Sequence, residues 1–120
     1  EALSGPSSLM LALAASGLNG QSFAFVGYLP VDSAARLTRI RELEALSRKT
    51  QQTQLMIETP YRNAALLAAL LSALSGATRL SVSCGLTLKQ GWSRTDTVSG
   101  WKARGIEIPS DTPAVFSLLA

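Results

Sequence analysis

A chain of 120 residues, 47% hydrophobic and 16% charged, makes at most one domain, or a piece of one, has enough residues for one core and lacks the composition of a disordered segment. It has no histidine and a single cysteine, Cys84, which excludes Ser-His and Cys-His nucleophiles, an internal disulfide and the commonest zinc sites. A net charge of +3 permits a polyanionic partner without requiring one, and Ser and Gly interrupt every apolar run short of the ~18 residues of a membrane span.

Gly5-Pro6 opens a predicted first helix that carries Leu9, Met10, Leu13 and Ala14 and stops at Gly17. No basic segment precedes its apolar stretch, so it reads as folded structure and not as a signal peptide. Ser7 and Ser8 stand at its mouth. "FAFVGYLP" predicts a strand near Phe23–Val26, with Phe23 and Phe25 on one face, ended by Gly27 and Pro30. Asp32 or Ser33 caps a second helix whose apolar stripe is Leu37, Ile40, Leu43 and Leu46. Its other face, with Arg36, Arg39, Arg41, Glu42, Glu44, Arg48 and Lys49, is expected to meet water. The mixed signs on that face weaken a nucleic-acid reading without removing it.

"TQLMIE" predicts a strand at Gln54–Glu58, and Thr59-Pro60 is a cap followed by an N1 proline. The helix expected from Pro60 to Ser75 is apolar around most of its circumference and closes at Gly76, a pattern of burial on more than one side. A third strand spans Arg79–Cys84, with Leu80 and Val82 inward, or Ser81 and Ser83 lining the other face, and Cys84 as a small strand residue. "LKQGWSRTDTVSG" reads as a loop or hairpin and "WKARG" as a helical turn. "TPAVFSLLA" gives a last strand at Ala114–Leu118, apolar enough to be central. The alternation specifies an α/β domain with a mixed sheet of about four to five strands flanked by helices.

No metal-ligand spacing, phosphate-binding loop or dinucleotide fingerprint is present. Three places set reactive or polar groups where one element meets the next: Gly5-Pro6-Ser7-Ser8, Glu58-Thr59-Pro60 and Gly85-Leu86-Thr87. Ligands gather at such element ends in open α/β sheets. Each also has a local explanation, the serines as helix caps, Glu58 as a charge over a helix N-terminus and Thr87 as a strand-end hydroxyl. Trp92, Trp101 and Tyr28 suit a subunit or interdomain contact, with core packing an equal alternative.

In order and spacing, "GPSSLMLALAASGL", "FAFVGYLP", "QLMIETPYRNAALL" and the final "PAVF" resemble the tetrapyrrole methylase-like superfamily, the class III S-adenosylmethionine-dependent methyltransferases. "GYLP", a basic helix and "ETPYR" are most similar to the ribosomal RNA small subunit methyltransferase I branch, where the motifs read "GFLP" and "YESPHR". Val26 before "GYLP" and Tyr61 in place of the histidine are departures.

The resemblance implies the C-terminal domain of a two-domain enzyme, spanning residues 1–120, with an N-terminal domain missing. "EALSGPSS", without an initiator methionine or a preceding strand, fits that expectation. It further implies S-adenosylmethionine as cofactor, with Ser7 and Ser8 at the interdomain hinge, Glu58 and Thr87 at strand ends, and Pro113 and Ala114 receiving the adenine. No metal and no specific catalytic side chain is implied. The expected setting is a cytoplasmic homodimer with ribosomal RNA as substrate and no membrane partner. A tetrapyrrole or small-molecule methylase, or a non-catalytic α/β dimerisation module, are the alternatives.

Overall fold

The computed structural model describes residues 23–85, 92–105, 108 and 112–120. The first predicted helix, and with it Ser7 and Ser8, lies outside these residues, as does Thr87. Strand β1 (Phe23–Tyr28) leads to helix α1 (Ser33–Thr50) and strand β2 (Thr53–Ile57). A 3₁₀ turn (Pro60–Arg62), helix α2 (Asn63–Ala73) and strand β3 (Arg79–Cys84) follow. Strand β4 (Trp92–Thr97), helix α3 (Val98–Arg104) and strand β5 (Ala114–Leu119) complete the described chain.

The strands form one mixed sheet in the order β1-β2-β5-β3-β4, with β1 and β2 parallel and every other pair antiparallel. The apolar last strand is central, as its composition requires. The segment expected as a loop or hairpin supplies β4, which pairs with β3 from Arg79–Thr97 to Cys84–Trp92. At the edge strand β1 the register shifts between Phe25 and Gly27, leaving Val26 as an extra residue. Gly27 has φ +86°, a left-handed conformation that glycine adopts without a Cβ clash. Val26, the departure before "GYLP", is therefore the bulge residue, and it is packed against the core.

Strand alternation divides the sheet. Leu80, Val82 and Cys84 pair with Leu118, Phe116 and Ala114, and with Met56 of β2 they form one face of the core. Ile40 and Leu43 of α1, Leu66, Leu67 and Leu70 of α2, and Val98 and Trp101 of α3 belong to the same cluster. All three described helices thus cover one face. Ser81, Ser117 and Leu55 sit on the opposite face and are buried as well. Phe23 and Phe25 share that second face and remain exposed.

The expected stripe on α1 needs correction. Ile40 and Leu43 are buried, but Leu46 is 43% exposed, while Arg36, Glu44 and Ser47 are buried. The charged residues have backbone partners that local sequence does not reveal. Arg36 donates from Nε to the Pro30 carbonyl (3.1 Å) and from Nη2 to the Val31 carbonyl (3.0 Å). Glu44 Oε2 accepts from the Ser75 N–H (2.7 Å) and from the Thr78 hydroxyl, fastening α1 to the turn before β3. Ser47 Oγ accepts from the Ala120 N–H at 3.0 Å. The start of α1 follows expectation, with Asp32 Oδ2 accepting from the Ala35 N–H at 2.9 Å.

The second expected helix is divided. Pro60–Arg62 is a 3₁₀ turn, and the α-helix begins at Asn63 and ends at Ala73. Thr59 makes no side-chain cap bond; its hydroxyl donates to Glu58 Oε1 at 3.3 Å. Burial of α2 is partial, since Ala64, Ala65 and Ala68 are exposed. Among the described residues, no helix is long and apolar enough to cross a membrane.

Candidate functional site

Antiparallel placement of β5 between β2 and β3 brings the C-terminal ends of those two strands to the same sheet edge as the start of β5. Ile57–Val115 is the last pair of β2 with β5, and Glu58 and Ala114 come next on their strands. Cys84–Ala114 ends the register on the other side, where the Gly85 N–H donates to the Pro113 carbonyl at 2.9 Å. Glu58, Pro113 and Ala114, three of the residues implied by the motifs, therefore meet at one edge. The remaining three lie outside the described residues.

Glu58 is 6% exposed. Its Oε1 accepts from the Thr59 N–H at 2.8 Å and lies 4.0 Å from Arg62 Nη1. Oε2 is buried with no hydrogen-bond partner among the described residues. A buried carboxylate oxygen left unpaired costs about 1–3 kcal/mol or more, so this oxygen is free to accept a hydrogen bond from water, a ligand donor or a cation. Ala114, the next register position across from Glu58, is buried and Pro113 exposed, with the Pro113 and Thr112 carbonyls already hydrogen-bonded within the protein.

Sequence reasoning missed Asn63. Fully buried at the first turn of α2, it donates from Nδ2 to the Thr112 carbonyl at 3.0 Å and so holds the segment that enters β5. Its Oδ1 is also buried and unpartnered among the described residues. An Asn just after Pro-Tyr-Arg resembles an ordinary helix-start residue; the contact to Thr112 spans 49 positions and leaves no local signal.

Of the aromatic contact candidates, Trp101 is a core residue, 1% exposed. Its Nε1 donates to the Leu80 carbonyl at 2.8 Å, and the Arg94 guanidinium lies 4.2 Å from its ring centre. Trp92 is half-buried against the core, and Tyr28 is 62% exposed. No group of three His, Cys, Asp or Glu among the described residues could hold a metal ion.

No protein-family model matches the chain. Over 94 residues, 78% of its length, the chain is 38% identical to the ribosomal RNA small subunit methyltransferase I of Mesorhizobium japonicum. Over 74 residues, 62% of its length, it is 39% identical to the protein of the same name from Vibrio cholerae. The matches cover 31% and 24% of those two relatives, so the chain spans less than a third of the curated proteins it matches. Its fold resembles that of the methyltransferase CobJ, with a TM-score of 0.56 over 92% of this chain and 46% of that one. Identity to CobJ is 13%, a likeness of fold.

Proposed function

Because the chain belongs to the tetrapyrrole methylase-like family, we propose that it forms one wall of an S-adenosylmethionine cleft in a methyltransferase acting on ribosomal RNA. In this reading it is the C-terminal of two domains, and the protein works in the cytoplasm as a homodimer. The observation that carries the reading is the sheet edge shared by Pro113, Ala114 and Glu58, whose buried Oε2 has no partner among the described residues. When bound, S-adenosylmethionine supplies an activated methyl group on a sulfonium that already contains its leaving group. The protein then needs no covalent nucleophile, and alignment of donor and acceptor is most of the catalytic work. A chain without histidine is adequate for that task.

Each site residue has a physical role in this reading. Thr59 and Arg62 occupy Glu58 Oε1 and fix the carboxylate, leaving Oε2 to accept a hydrogen bond from the cofactor or to complement its positive charge. Ala114, small and buried, puts no bulky side chain at this end of β5. The Gly85–Pro113 hydrogen bond and the Asn63–Thr112 contact set the backbone on which the adenine base rests. The exposed Phe25 and Tyr28 of edge strand β1 support a subunit contact.

The test is transfer of a labelled methyl group from S-adenosylmethionine to small-subunit ribosomal RNA by the full-length protein, with Glu58→Gln and Glu58→Ala alongside wild type. Loss of cofactor affinity in the Glu58 variants, with the apo protein still folded, is expected. Wild-type protein that binds no S-adenosylmethionine would overturn the reading.

A further inference from the structure

The charged face of α1 differs from the one its sequence describes. Arg36 and Glu44 are turned into the protein, so the exposed charges on this helix are Arg39, Arg41, Glu42, Arg48 and Lys49. Arg39 and Glu42 pair with each other at 3.3 Å. Arg41 and Lys49 have no ion-pair partner among the described residues, and Arg48 is 58% exposed with only a long 3.7 Å contact to Glu44. Burial of one acid and pairing of the other leave this surface with an excess of positive charge.

These three cations are contiguous. At about 100° per residue, Arg41, Arg48 and Lys49 fall within an arc of roughly 100° and about 12 Å of helix axis. Ala45 and Thr38, both exposed, occupy the same arc and leave it open to close approach. About three phosphates of one nucleic-acid strand match that length. The helix begins beyond the C-terminal end of β1, at the sheet edge that carries Glu58, and Arg41 is about 12 Å along its axis.

We propose that the outer face of α1, through Arg41, Arg48 and Lys49, binds the phosphate backbone of the RNA substrate. The surface complements a polyanion in charge and length, and it lies on a rigid helix that starts at the candidate site. The proposal rests on the reading that the methyl acceptor is RNA. It adds the surface that holds that RNA.

The test uses full-length protein and a labelled single-stranded RNA oligonucleotide, with binding followed by fluorescence anisotropy across a salt series. For Arg41→Gln/Arg48→Gln/Lys49→Gln, affinity should fall about tenfold or more, and the slope of log affinity against log salt should shrink by about 2, roughly 0.7 per phosphate contact. Affinity for S-adenosylmethionine should be unchanged. Glu42→Gln, which frees Arg39, should tighten RNA binding. If the triple variant melts early through loss of the Arg48–Glu44 contact, Arg41→Gln/Lys49→Gln should still lower the slope by about 1.4. An unchanged affinity and slope would overturn the proposal, an acidic protein being then the better partner for this face. If the wild type still methylates RNA in that case, the enzymatic reading survives. A wild type that binds the cofactor but neither binds nor methylates RNA removes both.

Discussion

Position 114 is where a packing role and a proposed ligand role can be told apart. Ala114 is 4% exposed, belongs to the core cluster, and follows Pro113 at the candidate site. In Ala114→Val, overpacking is expected to lower apo stability by about 1–3 kcal/mol. If the side chain also borders the base, cofactor affinity of the full-length protein should fall by about tenfold or more, equivalent to ~1.4 kcal/mol. Calorimetric affinity and apo melting on the same variant separate the two; a lower Tm with unchanged affinity removes Ala114 from the site. Glu44 presents the opposite case, a carboxylate with a structural task. Glu44→Ala leaves the Ser75 N–H and the Thr78 hydroxyl without their shared acceptor and should destabilise the protein by about 3 kcal/mol. Glu42→Ala, on the exposed face of the same helix, should change stability by only about 0.5 kcal/mol. Urea denaturation of the pair reads the difference.

Helix α3 has seven residues, too few to be stable alone, so its place depends on its anchors. Thr97 Oγ1 accepts from the Gly100 N–H at 3.1 Å, and the Val98 and Ser99 N–H groups donate to the carbonyls of Thr78 and Gly76. Trp101 fills the core and reaches the Leu80 carbonyl. Trp101→Phe retains most of the ring and should cost about 1–2 kcal/mol through the lost hydrogen bond and volume. Trp101→Ala should cost about 3–5 kcal/mol. Equal, small effects of both on thermal melting would show that the helix is not held this way. For α1, Asp32→Ala should lower stability by about 1 kcal/mol by removing the bond to the Ala35 N–H.

The proposed two-domain cleft has a consequence for the chain as a whole. The site edge described above offers Glu58, Pro113 and Ala114 from one side. If a second domain supplies the other wall, residues 1–120 on their own should bind S-adenosylmethionine far more weakly than the full-length protein, because much of the contact that offsets the loss of ligand freedom is absent. Isothermal titration calorimetry on both proteins is the check. Tight stoichiometric binding by the short chain would contradict the two-domain cleft.

Four of the five strands were legible because apolar and β-branched runs bounded by Gly, Pro and polar residues carry their own signal, as in "TQLMIE" and "TPAVFSLLA". The Asp32 cap was legible for the same reason, since its partner lies three residues away. Strand β4 was not fixed locally. "WSRTDT" is polar, and it becomes a strand by completing the hydrogen bonds of β3. The tertiary structure determined that Glu44 turns inward, because its partners come from the turn before β3, about thirty positions on, whereas Arg36 is buried by folding back onto the carbonyls of Pro30 and Val31 just before its own helix. It also decided that Asn63 holds Thr112 and that Glu58 and Ala114 share an edge. Sequence order places those residues dozens of positions apart, whereas the antiparallel insertion of β5 between β2 and β3 brings them together.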